Sequence, residues 1–220
     1  MGAGMTATGH LYMPEDHMHR LYNSKNPLVR WIHTTRLSMI VKELPKQKKL
    51  DILDAGCGEG HLLQALHARE KNNHYAGIDV TAAALKKARK RCPFAMFKLD
   101  DITTLEQTRQ KFDLIICTEV LEHVYEYRKA INALQRSLKE DGQLIITFPN
   151  EWLWTFGRLL LLRRPVKVPD HINTFTPKRM LAEVRLTIIT KKSIPLPLPF
   201  FLSLGCLMKF KKESRKSKRP

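Results

Sequence analysis

From Leu50 onward, short apolar segments alternate with amphipathic ones, and this alternation limits the possible folds more than any other feature of the chain. The apolar segments have the length and composition of buried strands, and the segments between them have helical periodicity. The predicted strands are Leu50–Asp54, His74–Asp79, Phe94–Leu99, Phe112–Cys117 and Gln143–Phe148. The predicted helices are Gly60–Glu70, Ala82–Cys92 and Tyr127–Glu140, the last one ending at Asp141-Gly142. Such an order predicts an α/β fold with a doubly wound, mostly parallel sheet.

The segments on either side of this region differ from it in composition. Residues 1–45 read as a helical cap, in which Leu28, Trp31 and Ile32 begin a helically spaced apolar series. Pro45 and the following Lys-Gln-Lys-Lys separate this cap from the main domain, predicted for residues 46–190. Residues 191–220 read as an apolar and basic C-terminal extension. A seventh, antiparallel strand has room only if Leu207–Lys211 forms it.

Charge and cysteine usage restrict the partners and the compartment. The net charge is +17, and residues 151–220 contain 16 Lys or Arg against four Asp or Glu, so an anionic partner is expected there. The four cysteines lie far apart without a CxxC pair, which favours a reducing, cytoplasmic compartment. Met1–Arg20 has no continuous apolar core of a signal peptide. Ile194–Met208 is 15 residues long with three prolines, too short to span a membrane.

A glycine-rich loop, Leu53-Asp-Ala-Gly-Cys-Gly-Glu-Gly60, lies where the first predicted strand passes into the first helix. Glycines there let the backbone approach a ligand closely, and a helix start offers free N–H groups to an anionic group. Asp79 ends the second strand, where a carboxylate can accept hydrogen bonds from ribose hydroxyls. The dinucleotide fingerprint is excluded because His61 replaces its third glycine, and no Gly-Lys-Ser/Thr of a P-loop follows.

With four further motifs, this loop resembles the class I S-adenosylmethionine-dependent methyltransferases, especially the small-molecule enzymes of the UbiG and UbiE type. LDAGCGEG resembles their first motif, and the later ones are GIDV, LDDI, FDLIICTEVLEHV and GQLIITFPN. The resemblance covers roughly residues 28–182. It implies a Rossmann-like fold with a seven-stranded sheet, and S-adenosylmethionine as the methyl donor.

The resemblance also implies roles for individual residues. The positions expected to bind the cofactor are Asp54, Gly56, Gly58, Asp79, Asp101, Ile102 and Thr118. The first three would face the methionine part, Asp79 would hold the ribose, and Asp101 with the Ile102 backbone would meet the adenine edge. Asp100 is the close alternative to Asp101. Thr118 and Glu119 would border the sulfonium.

Methyl transfer depends largely on positioning donor and acceptor, and a hydroxyl acceptor also benefits from a base or a Lewis acid. The candidate catalytic residues are His171, His123 and Glu119. An E-x-x-E-H run is associated with a divalent metal in UbiG-type enzymes and in small-RNA 2′-O-methyltransferases, so Glu119, Glu122 and His123 are an alternative metal site. A purely structural role for these side chains stays open as well.

Two apolar and basic segments, 152–164 and 191–220, complete the sequence reading. Trp and Leu beside Arg or Lys are typical of a helix in a membrane interface, although the first segment could equally be a buried cap helix and the tail a solubilising end. We therefore expect O-methylation of a small or lipid- or quinone-like acceptor by a cytoplasmic protein, peripheral at an anionic membrane surface. The alternatives are an RNA ribose 2′-O-methyltransferase with a metal, and a non-catalytic cofactor-binding protein.

Overall fold

The computed structural model describes residues 17–47, 49–105, 109–160 and 171–214, with the backbone alone at 17–18 and 157–160. Seven strands form one sheet in the order β3-β2-β1-β4-β5-β7-β6. β1 to β5 run parallel, and β7 pairs antiparallel with both β5 and β6. The predicted α/β fold with a mostly parallel, seven-stranded sheet is confirmed.

The elements alternate as the sequence predicts, with shifts of one or two residues at most boundaries. The strands are β1 Asp51–Ala55, β2 His74–Asp79, β3 Met96–Leu99, β4 Phe112–Thr118, β5 Leu138–Pro149, β6 Thr187–Ile194 and β7 Gly205–Lys211. The helices are α1 His17–Tyr22, α2 Pro27–Lys42, α3 His61–Arg69, α4 Ala82–Arg91, α5 Tyr127–Arg136, α6 Glu151–Leu160 and α7 Pro177–Glu183. Two short 3₁₀ turns, Leu121–His123 and Phe200–Leu202, follow β4 and precede β7.

Apolar side chains cover both faces of the sheet, as expected for strands with helices on each side. On one face, Phe148, Leu134 and Met180 belong to a buried cluster that joins β5 to α5 and α7. On the other face, Ile52 and Leu114 pack with residues of α2, α3 and α4. Because the parallel strands end together, the loops after β1 to β4 meet at one edge of the sheet.

The helix predicted over Tyr127–Glu140 is too long, and the strand predicted over Gln143–Phe148 is too short. The helix ends at Arg136, and β5 already begins at Leu138. Asp141, with a φ of 61°, lies at a shift in register between β4 and β5 instead of ending a helix. A turn-forming Asp-Gly pair can occupy such a bulge inside a strand, which periodicity alone does not reveal.

The predicted boundary at residue 190 falls inside β6, and residues 205–211 form β7 in the middle of the antiparallel end of the sheet. Leu207–Lys211 therefore does supply the seventh strand. Four basic residues of the expected extension are also engaged. Lys192 pairs with the Glu43 carboxylate, Lys209 donates to the Glu43 carbonyl at 2.8 Å, and Lys211 and Lys212 pair with acidic residues of β5. Residues 215–220 of the tail lie outside the described residues.

The described part of the predicted N-terminal cap consists of α1 and α2. Asn26 caps α2 by accepting hydrogen bonds from the Leu28 and Val29 amides. The buried face of α2 consists of Ile32, Arg36 and Ile40, four residues apart, whereas Leu28 is 60% exposed. An arginine therefore lies in the apolar stripe of this helix, on the side that faces the sheet.

Candidate active site

The loops at the carboxyl edge of the sheet surround one cavity of about 400 Å³. Its walls contain every site residue predicted from the sequence, and α1 and α2 contribute Tyr22 and Arg36. In the glycine loop, the amides of Gly56 and Cys57 donate to the Ile78 carbonyl at 2.8 and 2.9 Å, which ties β1 to β2. Gly56 has a φ of 84°, and a Cβ there would overlap the Cγ2 methyl of Val120, so only glycine fits.

Asp54 lies at the base of this cavity and is 1% exposed. Its Oδ1 atom is buried without a hydrogen-bond partner among the described residues. Burial, followed by the nearby charge of Asp79, raises the pKa of Asp54 to about 8. A buried carboxyl group with an unused oxygen is costly by itself, and a cationic or hydrogen-bonding ligand would satisfy it.

Asp79 holds the glycine loop from the end of β2. Its two carboxylate oxygens accept hydrogen bonds from the Gly58 and Thr81 amides, both at 2.8 Å. The side chain therefore fixes the glycine loop and the backbone just before α4, and each oxygen keeps a lone pair for a ligand hydroxyl. Burial raises the pKa of Asp79, while these amide hydrogen bonds act to lower it.

The residues after β3 also reach the cavity wall. Asp101 Oδ1 accepts from both the amide and the hydroxyl of Thr103, so this carboxylate shapes the turn. Asp100 accepts from Lys98 and from the Asp101 amide. Ile102 is 5% exposed and offers an apolar surface. Both aspartates line the cavity, and their expected role at the adenine edge stays a prediction.

Glu119 directly follows β4 and has a φ of 53°, a conformation that costs a non-glycine residue about 1–3 kcal/mol. Its Oε2 atom lies 3.0 Å from Nη1 of Arg36, and its Oε1 atom accepts from the Thr147 hydroxyl at 2.9 Å. Thr147 is itself hydrogen-bonded to the Thr118 hydroxyl at 2.7 Å. Glu119 is thus held on both sides, which favours a role in fixing the cavity over one as a free base.

Arg36 is 6% exposed, and its pKa reflects two opposed effects. Burial acts to lower the pKa of this guanidinium, but attraction to Glu119 and a hydrogen bond with Tyr22 outweigh it and keep the pKa raised. The ion pair therefore connects the N-terminal helices to the end of β4.

A second polar cluster, Glu122, His123 and His171, lies farther along the cavity. Potential ligand atoms of these three side chains all lie within 4.8 Å of one another, and the two imidazole rings meet edge to face with centroids 4.8 Å apart. Glu122 is 1% exposed, and burial together with the charge of Glu119 raises its pKa well above the ordinary value. These three residues could hold a divalent cation, whereas Glu119 of the predicted metal set faces Arg36.

The sequence reading missed three residues of this region: Tyr22, Arg36 and Glu151. Tyr22 and Arg36 come from a part of the chain without a recognised motif. Glu151 begins α6, and its Oε1 atom is hydrogen-bonded to Nδ1 of His171. The sequence signal for Glu151 was its position directly after the GQLIITFPN motif, at the carboxyl end of a predicted strand.

Comparison with known proteins agrees with this geometry. The sequence model of the family described as "Methyltransferase domain" matches residues 46–174. Malonyl-[acyl-carrier protein] O-methyltransferase of Acetivibrio thermocellus is 29% identical over 70% of this chain and 56% of its own length. Ubiquinone biosynthesis O-methyltransferase of Idiomarina loihiensis is 27% identical over 67% of this chain and 59% of its own length. The chain thus spans somewhat more than half of either relative.

Among solved structures, the N-methyltransferase NodS of Bradyrhizobium japonicum in complex with S-adenosylhomocysteine superposes with a TM-score of 0.66. It is 18% identical, and the match covers 91% of this chain and 98% of NodS, which supports the fold. Since the family match covers more than half of the chain, the chain belongs to the methyltransferase-domain family, the class I S-adenosylmethionine-dependent methyltransferases.

Proposed function

We propose that this protein transfers the methyl group of S-adenosylmethionine to an oxygen of a small or lipid- or quinone-like acceptor. The observation that carries the proposal is the convergence of the glycine loop, Asp79 and the turn after β4 on a single cavity. The orphaned oxygen of Asp54 supports it, because the cofactor's methionine part carries an ammonium group that such a carboxylate would bind. The names of the two O-methyltransferase relatives point to the same reaction type.

S-adenosylmethionine, when bound, supplies a methyl group on a positively charged sulfur. The residues of this chain then have separable tasks. Asp54 and the glycine loop hold the methionine part, Asp79 holds the ribose hydroxyls, and the segment around Ile102 borders the adenine. Thr118 and Glu119 fix the end of β4 beside the reacting atoms, and the cluster Glu122, His123 and His171 faces the acceptor.

A membrane surface is part of the same proposal. Four large apolar side chains near the cavity are strongly exposed on α6 and on the 3₁₀ turn that contacts it: Trp152, Phe156, Phe201 and Leu202. A group of exposed apolar side chains is typical of a surface that binds a partner or a membrane. In the described residues, no helix is long and apolar enough to span a bilayer. Residues 161–170, which include the end of the predicted 152–164 segment, lie outside the described residues.

Replacing Asp79 tests the cofactor assignment. Asp79→Ala should weaken S-adenosylmethionine binding by about 1–3 kcal/mol in titration calorimetry, because ribose hydroxyls lose a charged hydrogen-bond acceptor. Asp113→Ala is the matched control. Asp113 also accepts a hydrogen bond from a backbone amide, that of Asp51 at 2.8 Å, but it lies at the start of β4, away from the cavity residues at the strand ends. Unchanged affinity in Asp79→Ala would refute the assignment, and no measurable binding by the wild type would refute the proposed function.

A further inference from the structure

Glu151 is a buried carboxylate that the cofactor site does not use. It is 7% exposed at the first position of α6, two residues after the end of β5, and does not itself line the cavity. Its Oε1 atom is hydrogen-bonded to Nδ1 of His171, while Oε2 has no partner among the described residues. A carboxylate removed from water destabilises the fold unless a partner compensates for the lost hydration. Glu151 is therefore expected to have a role that depends on its pairing with His171.

His171 is fixed from two independent directions. Its backbone neighbours hold it to the 3₁₀ turn, because the amides of Ile172 and Asn173 donate to the Glu122 carbonyl at 2.9 and 3.0 Å. The Asn173 side chain adds a hydrogen bond to the Val124 carbonyl at 2.7 Å. Glu151 then sets the orientation of the ring. A side chain fixed in both backbone and ring orientation is preorganised for one geometry.

The hydrogen bond to Glu151 occupies Nδ1 of the ring, so Nε2 is the ring nitrogen left for a ligand, on a side chain that lines the cavity. A carboxylate on one imidazole nitrogen favours the tautomer in which the other nitrogen carries a lone pair. Nε2 is then the hydrogen-bond acceptor of a side chain that lines this end of the cavity.

The charges around this end of the cavity disfavour an anionic acceptor. Glu119, Glu122 and Glu151 bring three carboxyl groups, while Arg36 is the only Lys or Arg among the described residues that line the cavity, and Glu119 already binds it. Neither oxygen of Glu122 is hydrogen-bonded to another described residue. An acceptor carboxylate would therefore find no unpaired Lys or Arg among the described lining residues, whereas a neutral hydroxyl could donate to Nε2.

We propose that Glu151 positions His171 to accept the proton of a neutral hydroxyl acceptor, and that the lack of an unpaired Lys or Arg among the described lining residues disfavours acceptors whose reacting group is a carboxylate. The inference rests on the proposed function and narrows its acceptor class. In the step, the acceptor oxygen forms a bond to the methyl carbon as the carbon–sulfur bond breaks. The hydroxyl proton passes to Nε2 of His171, and the sulfonium becomes the neutral thioether of S-adenosylhomocysteine. A carboxylate acceptor, already ionised, would need no such base.

The positioning role is tested by nitrogen-15 NMR of the histidine rings in full-length, EDTA-treated protein loaded with S-adenosylhomocysteine, at one fixed pH. His171→Asn assigns the signals. The wild type should show Nδ1 protonated and Nε2 as acceptor, and Glu151→Gln should lose that preference. Glu126→Gln is the control, because Glu126 is an exposed glutamate paired with Lys129. Identical His171 signals in wild type and Glu151→Gln would overturn the role of Glu151.

The acceptor class is tested with two probes that share an apolar body, para-propylphenol and para-propylbenzoate. The phenol should bind the loaded protein at least about tenfold more tightly than the benzoate and shift the Nε2 signal of His171. Glu151→Gln should reduce both the preference and the shift. Equal binding of the two probes, tighter benzoate binding, or no phenol binding would overturn the inference. Retained binding of S-adenosylhomocysteine in that case would show that the cofactor part of the proposed function survives.

Discussion

At the scale of single residues, Asp54 links the cofactor cavity to the stability of the protein. Its pKa of about 8 in the folded chain lies far above the value of about 3.9 in an unfolded chain. Between these values the folded state keeps a proton that the unfolded state has released. The contribution of Asp54 to the free energy of unfolding is therefore greatest below pH 4 and falls as the pH rises towards 8.

Asp54→Asn should remove this part of the pH dependence. We expect the free energy of unfolding, measured by urea denaturation without cofactor, to decline less steeply between about pH 4 and 8 in the variant than in the wild type. Asp113→Asn removes a carboxylate at the opposite end of the strands. In this variant, the part of the decline in the free energy of unfolding that comes from Asp54 should remain. Equal slopes in wild type and Asp54→Asn would contradict a raised pKa at this position.

At the scale of elements, the ion pair between Arg36 of α2 and Glu119 after β4 joins the N-terminal helices to the sheet. Both side chains are largely buried, so removal of one partner leaves an uncompensated charge. Arg36→Met and Glu119→Gln should each destabilise the fold by about 3–5 kcal/mol, and the double variant should cost less than their sum by more than 1 kcal/mol.

The matched control for that double-mutant cycle is the pair Arg128–Glu183, in which Arg128 is 72% exposed. Solvent screens such a pair, and its coupling in urea unfolding should stay below about 1 kcal/mol. A coupling between Arg36 and Glu119 no larger than that of the control would mean that the pair does not hold α2 to the sheet.

The elements also show how far the sequence could lead. The alternation of strands and helices, the glycine loop and Asp79 follow from local patterns, because a strand end, a turn and a helix start are encoded by neighbouring residues. The partnership of Arg36 with Glu119 could not be foreseen, since it joins residues 83 positions apart across unrelated elements. Glu151 was missed for the same reason. Its role depends on the hydrogen bond to His171, and only the folded chain brings these two residues together.

At the scale of the whole molecule, the C-terminal residues form the antiparallel end of the sheet, so membrane binding cannot be tested by deleting them. Truncation after residue 190 would remove β7, which lies between β5 and β6, and Lys209, which binds the C-terminal end of α2 through Glu43. The loss of a central strand would unfold this end of the sheet, so a truncated chain could fail to bind vesicles for reasons unrelated to the membrane. Substitutions on the surface keep the sheet intact.

The double variant Trp152→Ser/Phe201→Ser therefore tests the membrane proposal. Full-length wild type should sediment with vesicles of phosphatidylglycerol and phosphatidylcholine and remain bound when single-stranded RNA is added, because apolar contact supplements the electrostatic attraction. The variant should stay in the supernatant. Met96→Ser/Leu99→Ser, which alters exposed apolar residues of β3 at the opposite edge of the sheet, should still sediment.

Release of the wild type by RNA, with a steep salt dependence, would favour RNA as the anionic partner. Equal sedimentation of both double variants would mean that the exposed face of α6 and its neighbouring turn does not contact the bilayer.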